Sequence, residues 1–353
     1  MFQDNLKKLR SVFSDDVLNV VKQFLIADFE IYIVGGAVRD ALLGRPVIDI
    51  DMTTNARPEQ IEALFPNSLP TGKAFGTITI VTTLHQIQIT TYRADGTYSN
   101  SRHPDEIQYE KHIHNDLKRR DFTVNALAYN PIIDDLIDDF DGISDLSMKK
   151  LRVVGDSETR FSEDTLRLFR ACRFAAQLNF ELSDETIAVM TSLTKSCILP
   201  SKERIHHELT SLIEADYPQN GLRLLLKTGL GKRLFSKFDL IPTVGFSYIS
   251  KMELTLRWAY LIQYLDIDDA FGQLMFSKKE KAWISNLISY DFDQEKALFT
   301  IKDLKLSGND IKTLGFKGKQ IGEIQHFLFN KVIKDMTLNK KDILKSIVEQ
   351  QFM

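Results

Sequence analysis

The chain has little cysteine and no long apolar run. Only two cysteines, Cys172 and Cys197, occur among 353 residues, too few for a disulfide framework. No charged-then-apolar leader opens the chain, and no uninterrupted apolar stretch is long enough to cross a bilayer. The composition, 43% hydrophobic and 26% charged residues, is typical of a soluble globular protein. We therefore expect a cytoplasmic protein without a membrane partner.

The chain also lacks an overall positive charge. A formal net charge of −3 argues weakly against an RNA partner, because phosphate binders usually carry a basic footprint. The average hides a local excess, since residues 301–353 contain ten lysines against six acidic residues. The segments Lys118–Arg120 and Arg160–Arg173 are basic as well. Local patches, not the total charge, decide phosphate binding, so the net charge does not exclude an RNA partner.

The two halves of the chain follow different patterns. Between about Glu30 and Tyr129, β-branched runs typical of strands alternate with helical spacing. The predicted strands are Ile31–Val34, Ile48–Met52, Thr77–Thr82, Gln86–Tyr92 and Val124–Tyr129. After about Ser162 the spacing is almost entirely helical, as in Thr165–Leu178 and Arg204–Ile213. A chain of this length favours two or more structural units, and the pattern predicts an α+β head followed by an all-helical remainder.

A glycine pair follows the first predicted strand and opens a helical pattern. In Val34-Gly35-Gly36-Ala37-Val38-Arg39-Asp40, the glycines let the backbone approach a ligand, and the free N–H groups of a helix start suit an anion. Taken alone, such a pair is more often only a turn. No Gly-x-x-x-x-Gly-Lys-Ser/Thr loop occurs, and no Gly-x-Gly-x-x-Gly follows the first strand, so two other phosphate motifs are excluded.

Two aspartates follow in Ile48-Asp49-Ile50-Asp51. If this segment is a strand, Ile48 and Ile50 enter the core while Asp49 and Asp51 share the other face. Adjacent carboxylates repel unless they are solvated or neutralised, and a hard divalent cation neutralises them. Mg²⁺ combines few carboxylates with substrate phosphate oxygens. An isolated Asp-x-Asp is as often a solvated strand edge, but the preceding glycine pair and Arg39 favour a magnesium–nucleotide site.

In this order, the glycine pair and the Asp-x-Asp pair resemble the core of the DNA polymerase β-type nucleotidyltransferases. The resemblance implies two metal ions, one activating an attacking 3′-hydroxyl and one steadying the triphosphate. Many members carry a third carboxylate on a neighbouring strand. The corresponding segment here, Gln88–Tyr92, contains none, so the general base stays undetermined.

Two later blocks are rich in arginine. Arg119-Arg120-Asp121 precedes Phe122-Thr123-Val124-Asn125-Ala126, and paired guanidinium groups suit a triphosphate. In the block from Glu163 to Phe174, three arginines recur at every third residue: Arg167, Arg170 and Arg173. Asp164 and Arg167 have the i, i+3 spacing of a surface ion pair. Such a pair can also read a base, since cytosine and adenine present an amino donor beside a ring-nitrogen acceptor, and uracil and guanine present the reverse.

Together these blocks closely resemble the class II tRNA nucleotidyltransferases, which include bacterial CCA-adding enzymes and poly(A) polymerases. The similarity continues through Arg152-Val153-Val154-Gly155, Ser201–Arg204 and Leu306–Asp310. It implies that Asp49 and Asp51 are catalytic and bind magnesium, and that Gly36, Arg39 and Arg120 hold the triphosphate and sugar. It implies that Asp164 and Arg167 read the base, supported by Arg170 and Arg173. The expected domains are a catalytic head (1–150), a helical neck (151–215), a helical body (216–300) and a tRNA-binding tail (301–353).

The resemblance leaves the product open among C only, A only and the complete CCA, or a poly(A) tract. Relatives that add only CC lack a flexible loop, whereas Ala94–Lys118 here contains a turn-rich segment, Asp95–Pro104. This favours complete CCA addition from CTP and ATP to tRNA lacking all or part of its CCA end. No strongly basic extension precedes the end at Met353, and none of the seven histidines is followed by Asp. The first absence disfavours a poly(A) polymerase, which stays the alternative, and the second predicts no phosphohydrolase site. We expect a monomer or a homodimer, and the sequence does not decide between them.

Overall fold

The computed structural model describes residues 2–94, 108–242 and 253–352. Two compact units form, Met1–Ser250 and Lys251–Met353. Within the described ranges, no helix combines the length and the apolar character that crossing a membrane requires. The finer division into head, neck, body and tail remains a prediction, and the turn-rich segment Asp95–Pro104 lies outside the described residues.

The first unit contains a mixed seven-stranded sheet, ordered β3-β4-β5-β2-β1-β8-β9. Strand β2 pairs parallel with β5, and every other pairing in this sheet is antiparallel. A separate two-stranded sheet consists of β6 and β7. The strands are β1 Ile31–Val34, β2 Ile50–Thr54, β3 Leu69–Gly72, β4 Thr77–Val81, β5 Gln86–Thr91, β6 Arg93–Ala94, β7 Gln108–Tyr109, β8 Ala128–Asn130 and β9 Asp135–Ile137.

Besides four short 3₁₀ helices, twelve described α-helices belong to this unit. They are α1 Phe2–Lys7, α2 Asp15–Ile26, α3 Gly36–Leu43, α4 Pro58–Leu64, α5 Ile113–Lys118, α6 Gly142–Met148, α7 Ser157–Glu163, α8 Leu166–Leu178, α9 Asp184–Thr194, α10 Lys202–Glu214, α11 Pro218–Lys227 and α12 Leu230–Leu234. No described strand follows β9, so the predicted change from α+β to all-helical structure is confirmed.

Two predicted strands were placed wrongly. The strand predicted from Ile48 begins at Ile50, and Ile48 is 80% exposed instead of entering the core. Pro46 lies two residues before Ile48, and the pairings of β2 begin only at Ile50 with Ile87 of β5 and at Asp51 with Val34 of β1. The segment predicted as Val124–Tyr129 is a 3₁₀ turn at Thr123–Asn125, and β8 starts only at Ala128.

The register between β1 and β2 brings the two sequence motifs of the site together. The four residues of β1 are all buried, as the β-branched sequence Ile-Tyr-Ile-Val predicts for a central strand. Val34, the last of them, pairs antiparallel with Asp51. Gly35 and Gly36, which follow Val34 in the chain, are therefore brought next to the start of β2, although the two motifs lie about fifteen residues apart in sequence.

Helix α8 is the centre of the helical part of this unit. It begins after Thr165 and ends at Asn179, whose left-handed conformation (φ 56°) stops the helix. Helices α10 and α11 pack against it. At Gly221 of α11, a Cβ atom would lie only 2.6 Å from the carbonyl oxygen of Cys172, so only glycine allows this approach. The packing fixes the direction in which the arginines of α8 point.

The second unit is helical throughout its described residues. Its helices are α13 Leu254–Ile262, α14 Ile267–Gln273, α15 Lys278–Ser289, α16 Gln294–Leu298, α17 Gly308–Thr313, α18 Lys319–Val332 and α19 Lys341–Phe352. A buried apolar cluster, which includes Ile311, Leu328 and Leu344, joins α17, α18 and α19. The side chains of Lys317 and Lys319 stay exposed beside it.

Candidate active site

One cavity of about 640 Å³ in the first unit collects the residues singled out in the sequence. Every predicted site residue lines it: Gly36, Arg39, Asp49, Asp51, Arg120, Asp164, Arg167, Arg170 and Arg173. Arg119, Arg204, Asp40 and Asp121 line it as well. The lining thus contains seven arginines and five aspartates, an excess of two positive charges that favours an anionic ligand.

The glycine turn forms one wall. Gly35 has φ 69° and ψ −128°, a conformation that other residues rarely adopt. A Cβ atom at Gly35 would also lie 3.1 Å from Nη1 of Arg120. Helix α3 begins at Gly36, so the unpaired N–H groups of its first turn lie at the cavity. The turn therefore brings backbone donors and a guanidinium group close together.

The two carboxylates of Asp49 and Asp51 open on this cavity, with Ile50 buried between them. Asp49 lies one residue before β2 begins, and Asp51 lies within it. Burial raises the pKa of Asp51, the guanidinium of Arg120 lowers it, and the negative charge of Asp49 raises it, with a net increase. The alternation predicted for this segment thus holds at Ile50 and Asp51. Among the residues with described positions, no group of three or more Asp, Glu, His or Cys side chains forms a metal site.

Arg119 and Arg120 are held by a buried aspartate that the sequence analysis did not single out. Asp116 of α5 accepts a hydrogen bond from Nη2 of Arg119 at 2.8 Å and one from Nη2 of Arg120 at 3.2 Å. Burial tends to raise the pKa of Asp116, but the two guanidinium groups outweigh it and hold that pKa below its usual value. The i, i+3 and i, i+4 spacing of Asp116 to Arg119 and Arg120, at the end of α5, is the signal that could have identified this residue.

Arg39 connects the glycine turn to the segment that follows Arg120. Its Nε and Nη2 donate to the two carboxylate oxygens of Asp40, at 2.9 and 2.8 Å. Its Nη1 donates to Oδ1 of Asn125 at 2.7 Å. Arg39 is 8% exposed, and these three bonds fix its guanidinium plane.

The structure corrects the expected position of Asp164. Instead of sharing a helix with Arg167, it lies in the extended junction between α7 and α8. Its Oδ1 accepts from the backbone N–H of Leu166 at 3.0 Å, and its Oδ2 accepts from Nη2 of Arg204 at 2.8 Å. Arg204 belongs to α10, forty residues further along the chain, and sequence reasoning gave it no role.

The guanidinium group of Arg167 is held by hydrogen bonds to three oxygens of the protein. Its Nη1 donates to the carbonyl of Arg160 and to Oε2 of Glu163, and its Nη2 donates to the carbonyl of Arg119. The side chain is 9% exposed and lines the cavity. Asp164 and Arg167 thus border one cavity, each fixed by a different element.

Arg170 and Arg173 are fixed by two buried carboxylates. Nε of Arg170 donates to Oδ2 of Asp121 at 2.6 Å, and Nε of Arg173 donates to Oε2 of Glu208 at 2.6 Å. Both guanidinium groups also lie over the ring of Phe174, 5.2 and 4.1 Å from its centre. Glu208, one helical turn beyond Arg204 on α10, was also not recognised in the sequence.

Comparison with known proteins agrees with this fold and site. Residues 31–152 match the family model of the poly A polymerase head domain, and residues 179–241 match a model described as a probable RNA and SrmB-binding site of polymerase A. The CCA-adding enzyme of Leuconostoc citreum is 39% identical over 68% of this chain and 60% of its own length. That of Levilactobacillus brevis is 44% identical over 61% of this chain and 53% of its own length. The chain therefore spans little more than half the length of these two relatives.

Longer matches and solved structures complete the comparison. The CCA-adding enzyme of Streptococcus mutans is 33% identical over 88% of this chain and 71% of its own length. The Bacillus stearothermophilus CCA-adding enzyme in complex with CTP is 25% identical, with a TM-score of 0.66 over 95% of this chain and 96% of its own. The Thermotoga maritima CCA-adding enzyme complexed with tRNA has a TM-score of 0.67 at 22% identity, over 98% of each chain, a likeness of fold.

The fold and the cavity together define a nucleotidyltransferase head joined to helical segments, as the sequence predicted. The chain belongs to the family of CCA-adding enzymes, which are tRNA nucleotidyltransferases.

Proposed function

We propose that this chain adds C, C and A to the 3′ end of tRNA without a nucleic-acid template, using CTP and ATP and releasing diphosphate. One observation carries the proposal: the carboxylate pair Asp49 and Asp51 and the base-reading candidates Asp164 and Arg167 line a single cationic cavity. A nucleoside triphosphate in that cavity would have its reacting phosphate beside the carboxylates and its base beside the arginines. The names and bound molecules of the relatives support the same reaction.

The residues present fit a magnesium site. Asp49 and Asp51 supply hard oxygen ligands open to the cavity, and Asp51 bears an unfavourable charge that a dication would neutralise, as its raised pKa indicates. Asp49 and Asp51 would hold Mg²⁺, which when bound would activate the attacking 3′-hydroxyl and stabilise the charge of the triphosphate.

The triphosphate has a prepared cradle. The first turn of α3 at Gly36 offers backbone N–H donors. Arg39 keeps two of its five N–H donors for a ligand after its described bonds to Asp40 and Asn125. Nε of Arg120 is buried and has no hydrogen-bond partner among the described residues. A buried donor without a partner costs free energy, which a phosphate or ribose oxygen would recover.

Asp164 and Arg167 would select the base by hydrogen bonding. The carboxylate accepts from the exocyclic amino group of cytosine or adenine, while the guanidinium donates to the adjacent ring nitrogen. Uracil and guanine would face Asp164 with an acceptor and Arg167 with a donor, leaving polar groups unpaired in a desolvated site. Arg204 holds Asp164 in its orientation by donating to Oδ2. Arg170 and Arg173 would support the nucleotide from the same helix.

The acceptor would be tRNA that lacks all or part of its CCA end. The exposed lysines of the second unit, including Lys317 and Lys319, would hold it through phosphates. Because its proposed substrate is tRNA, we place the protein's activity in the cytoplasm.

Labelled nucleotide incorporation tests the proposal. The full chain is incubated with Mg²⁺ and a tRNA transcript that ends before CCA, with CTP, ATP, UTP or GTP singly and in pairs. We expect two C additions with CTP alone and a final A when ATP is also present. Long A tracts without C would instead identify a poly(A) polymerase, and U or G incorporation at the rate of C would remove the base-reading role. The double variant Asp49→Asn/Asp51→Asn should be inactive, whereas Asp184→Asn, an exposed carboxylate outside the cavity, should match the parent.

A further inference from the structure

A continuous line of hydrogen-bonded side chains, buried except for the partly exposed Arg170, joins the two ends of the nucleotide cavity. Arg39, at the start of α3, donates to Oδ1 of Asn125 at 2.7 Å. Nδ2 of Asn125 donates to Oδ1 of Asp121 at 3.3 Å. Oδ2 of Asp121 accepts from Nε of Arg170 on α8 at 2.6 Å. Asn125 is the middle member of this line and is 6% exposed.

The neighbours of Asn125 fix the direction of its amide. Arg39 has only donors to offer, so it must face the amide oxygen, and the ionised Asp121 has only acceptors, so it must face the amide nitrogen. The amide offers an acceptor and a donor at once, whereas an ionised aspartate of the same size lacks the donor and leucine lacks both. The 3₁₀ turn Thr123–Asn125 holds the backbone of Asn125 in place.

The two arginines at the ends of the line serve different parts of the proposed substrate. Arg39 lies at the glycine turn, where the triphosphate and sugar are expected, and Arg170 lies on the helix that carries Arg167. Asp121 is buried, and Arg170 holds the pKa of that carboxyl below its usual value although burial raises it. Because Asp121 is strongly paired with Arg170, its carboxylate keeps a fixed position. The hydrogen bond from Asn125 to this carboxylate then fixes the amide group of Asn125 as well.

We infer that Asn125 is a positioning residue that couples the triphosphate end of the nucleotide site to its base end, through Arg39 on one side and through Asp121 and Arg170 on the other. The inference rests on the proposed function and adds to it a positioning role for a residue at the wall of the same cavity. Asn125 fixes the position of Arg39 relative to Arg170. A nucleotide that binds Arg39 therefore needs no rearrangement of Arg170 to contact it as well.

Replacing Asn125 with aspartate gives a test with its own signature. In Asn125→Asp, two carboxylates would lie about 3.3 Å apart, so one of them takes a proton at a pH well above its ordinary range. The protonated acid can donate to Asp121 and accept from Arg39, as the amide does, whereas the ionised acid cannot donate. The other charged groups facing position 125 are Arg39, Arg170 through Asp121, and Arg120, whose Nη1 lies 3.5 Å from the carbonyl oxygen of Asn125.

The measurement is the Kd of the full chain for CTP with Mg²⁺, without RNA, at several pH values from 6 to 8.5. For Asn125→Asp, we expect a CTP affinity about tenfold below that of the parent at pH 8.5. At pH 6, the ratio of the variant's Kd to the parent's Kd should return toward one. For Asn125→Leu, which can neither donate nor accept, we expect a similar loss that does not change with pH. If the Kd ratio of Asn125→Asp to the parent followed the same pH dependence as that of Asn125→Leu, the inference would be overturned, because a merely structural role predicts this result.

A double-mutant cycle keeps the test decisive should the aspartate variant fold poorly. Asn125→Leu and Arg170→Lys are combined, and CTP affinity is measured for each single variant and for the pair. If Asn125 acts through Arg170, the double variant binds about as weakly as the weaker single variant; additive losses would contradict the coupling. The outcome is separate from that of the proposed function, which fails only if the parent itself neither binds CTP nor extends tRNA.

Discussion

Nη2 of Arg204 donates to Oδ2 of Asp164 at 2.8 Å and joins helix α10 to the junction before α8. The carboxylate that we propose reads the base is therefore oriented by a residue forty positions away. Both partners are part-buried, with side-chain exposures of 30% and 20%. Base selection should consequently depend on α10 as well as on α8.

Asp164→Ala should relax base choice more than it weakens tRNA binding. Without the carboxylate, no acceptor meets the amino group of C or A, and no repulsion meets the carbonyl of U or G. We expect discrimination of CTP over UTP to fall by about 10- to 100-fold, the range of one or two lost hydrogen bonds. Competition assays measure the discrimination, and filter binding measures the Kd for tRNA. A fall in tRNA affinity with base choice preserved would place Asp164 in the RNA interface.

Arg204→Met should have a smaller effect of the same kind. Methionine keeps much of the side-chain length but cannot donate, so Oδ2 of Asp164 loses the partner that holds it. We expect discrimination to fall by about tenfold, with Arg204→Lys in between because it keeps the charge without the planar fork. The matched control is Arg223→Met, an exposed arginine of α11. Equal discrimination in Arg204→Met and Arg223→Met would show that Arg204 does not orient Asp164.

Asp51→Asn should stabilise the metal-free protein while it destroys activity. The pKa of Asp51 is raised from its ordinary 3.8 in the folded state by burial and by Asp49, against the opposing effect of Arg120. The protonated form is therefore favoured by folding, and the ionised form costs stability as the pH rises above 3.8 and through the folded-state pKa. At neutral pH the variant should melt above the parent, and the difference should shrink as the pH is lowered toward 4.

Adding Mg²⁺ and CTP should reverse the stability difference between the parent and Asp51→Asn. Mg²⁺ with CTP should raise the Tm of the parent by mass action and leave Asp51→Asn nearly unchanged, while turnover falls by about 100-fold or more. Asp184→Asn removes an exposed carboxylate and should show neither effect. A variant that melts below the parent at neutral pH would mean that Asp51 is not held at an electrostatic cost.

Lys317→Gln and Lys319→Gln should weaken tRNA binding and reduce its dependence on salt. Each lysine that contacts a phosphate releases counterions, so its loss should lower the slope of log K against log salt by about one. Both side chains are exposed on the second unit. Lys22→Gln, an exposed lysine of α2, is the control. Slopes identical to that of the parent would remove these lysines from the RNA interface.

Much of this site was accessible from the sequence because short-range patterns govern it. Period-two alternation at Ile50 and Asp51 indicated which side chains face the cavity, and the three-residue spacing of Arg167, Arg170 and Arg173 placed them on one helix. Glycines before a helical pattern indicated the turn at Gly35. Each of these signals depends on the backbone geometry of a single element.

The remainder depends on tertiary contacts that no local pattern reveals. Ile48 was expected in the core, but the pairings of β2 with β5 and β1 begin only at Ile50 and Asp51, so Ile48 stays exposed. Asp164 and Arg167 have helical spacing, yet a turn between two helices separates them. Asp164 pairs with Arg204, and Arg173 with Glu208, over separations of 40 and 35 residues. Such partners become visible only when α10 is seen packed against α8.

The position of bound metal and nucleotide tests the central claim most directly. The full chain is crystallised with CTP and with Mn²⁺ in place of Mg²⁺, and the metal is located by its anomalous scattering. The account predicts metal at about 2.1 Å from oxygens of both Asp49 and Asp51, phosphates at the start of α3, and cytosine facing Asp164 and Arg167. Metal held by other residues, or a triphosphate seated outside this cavity, would contradict it.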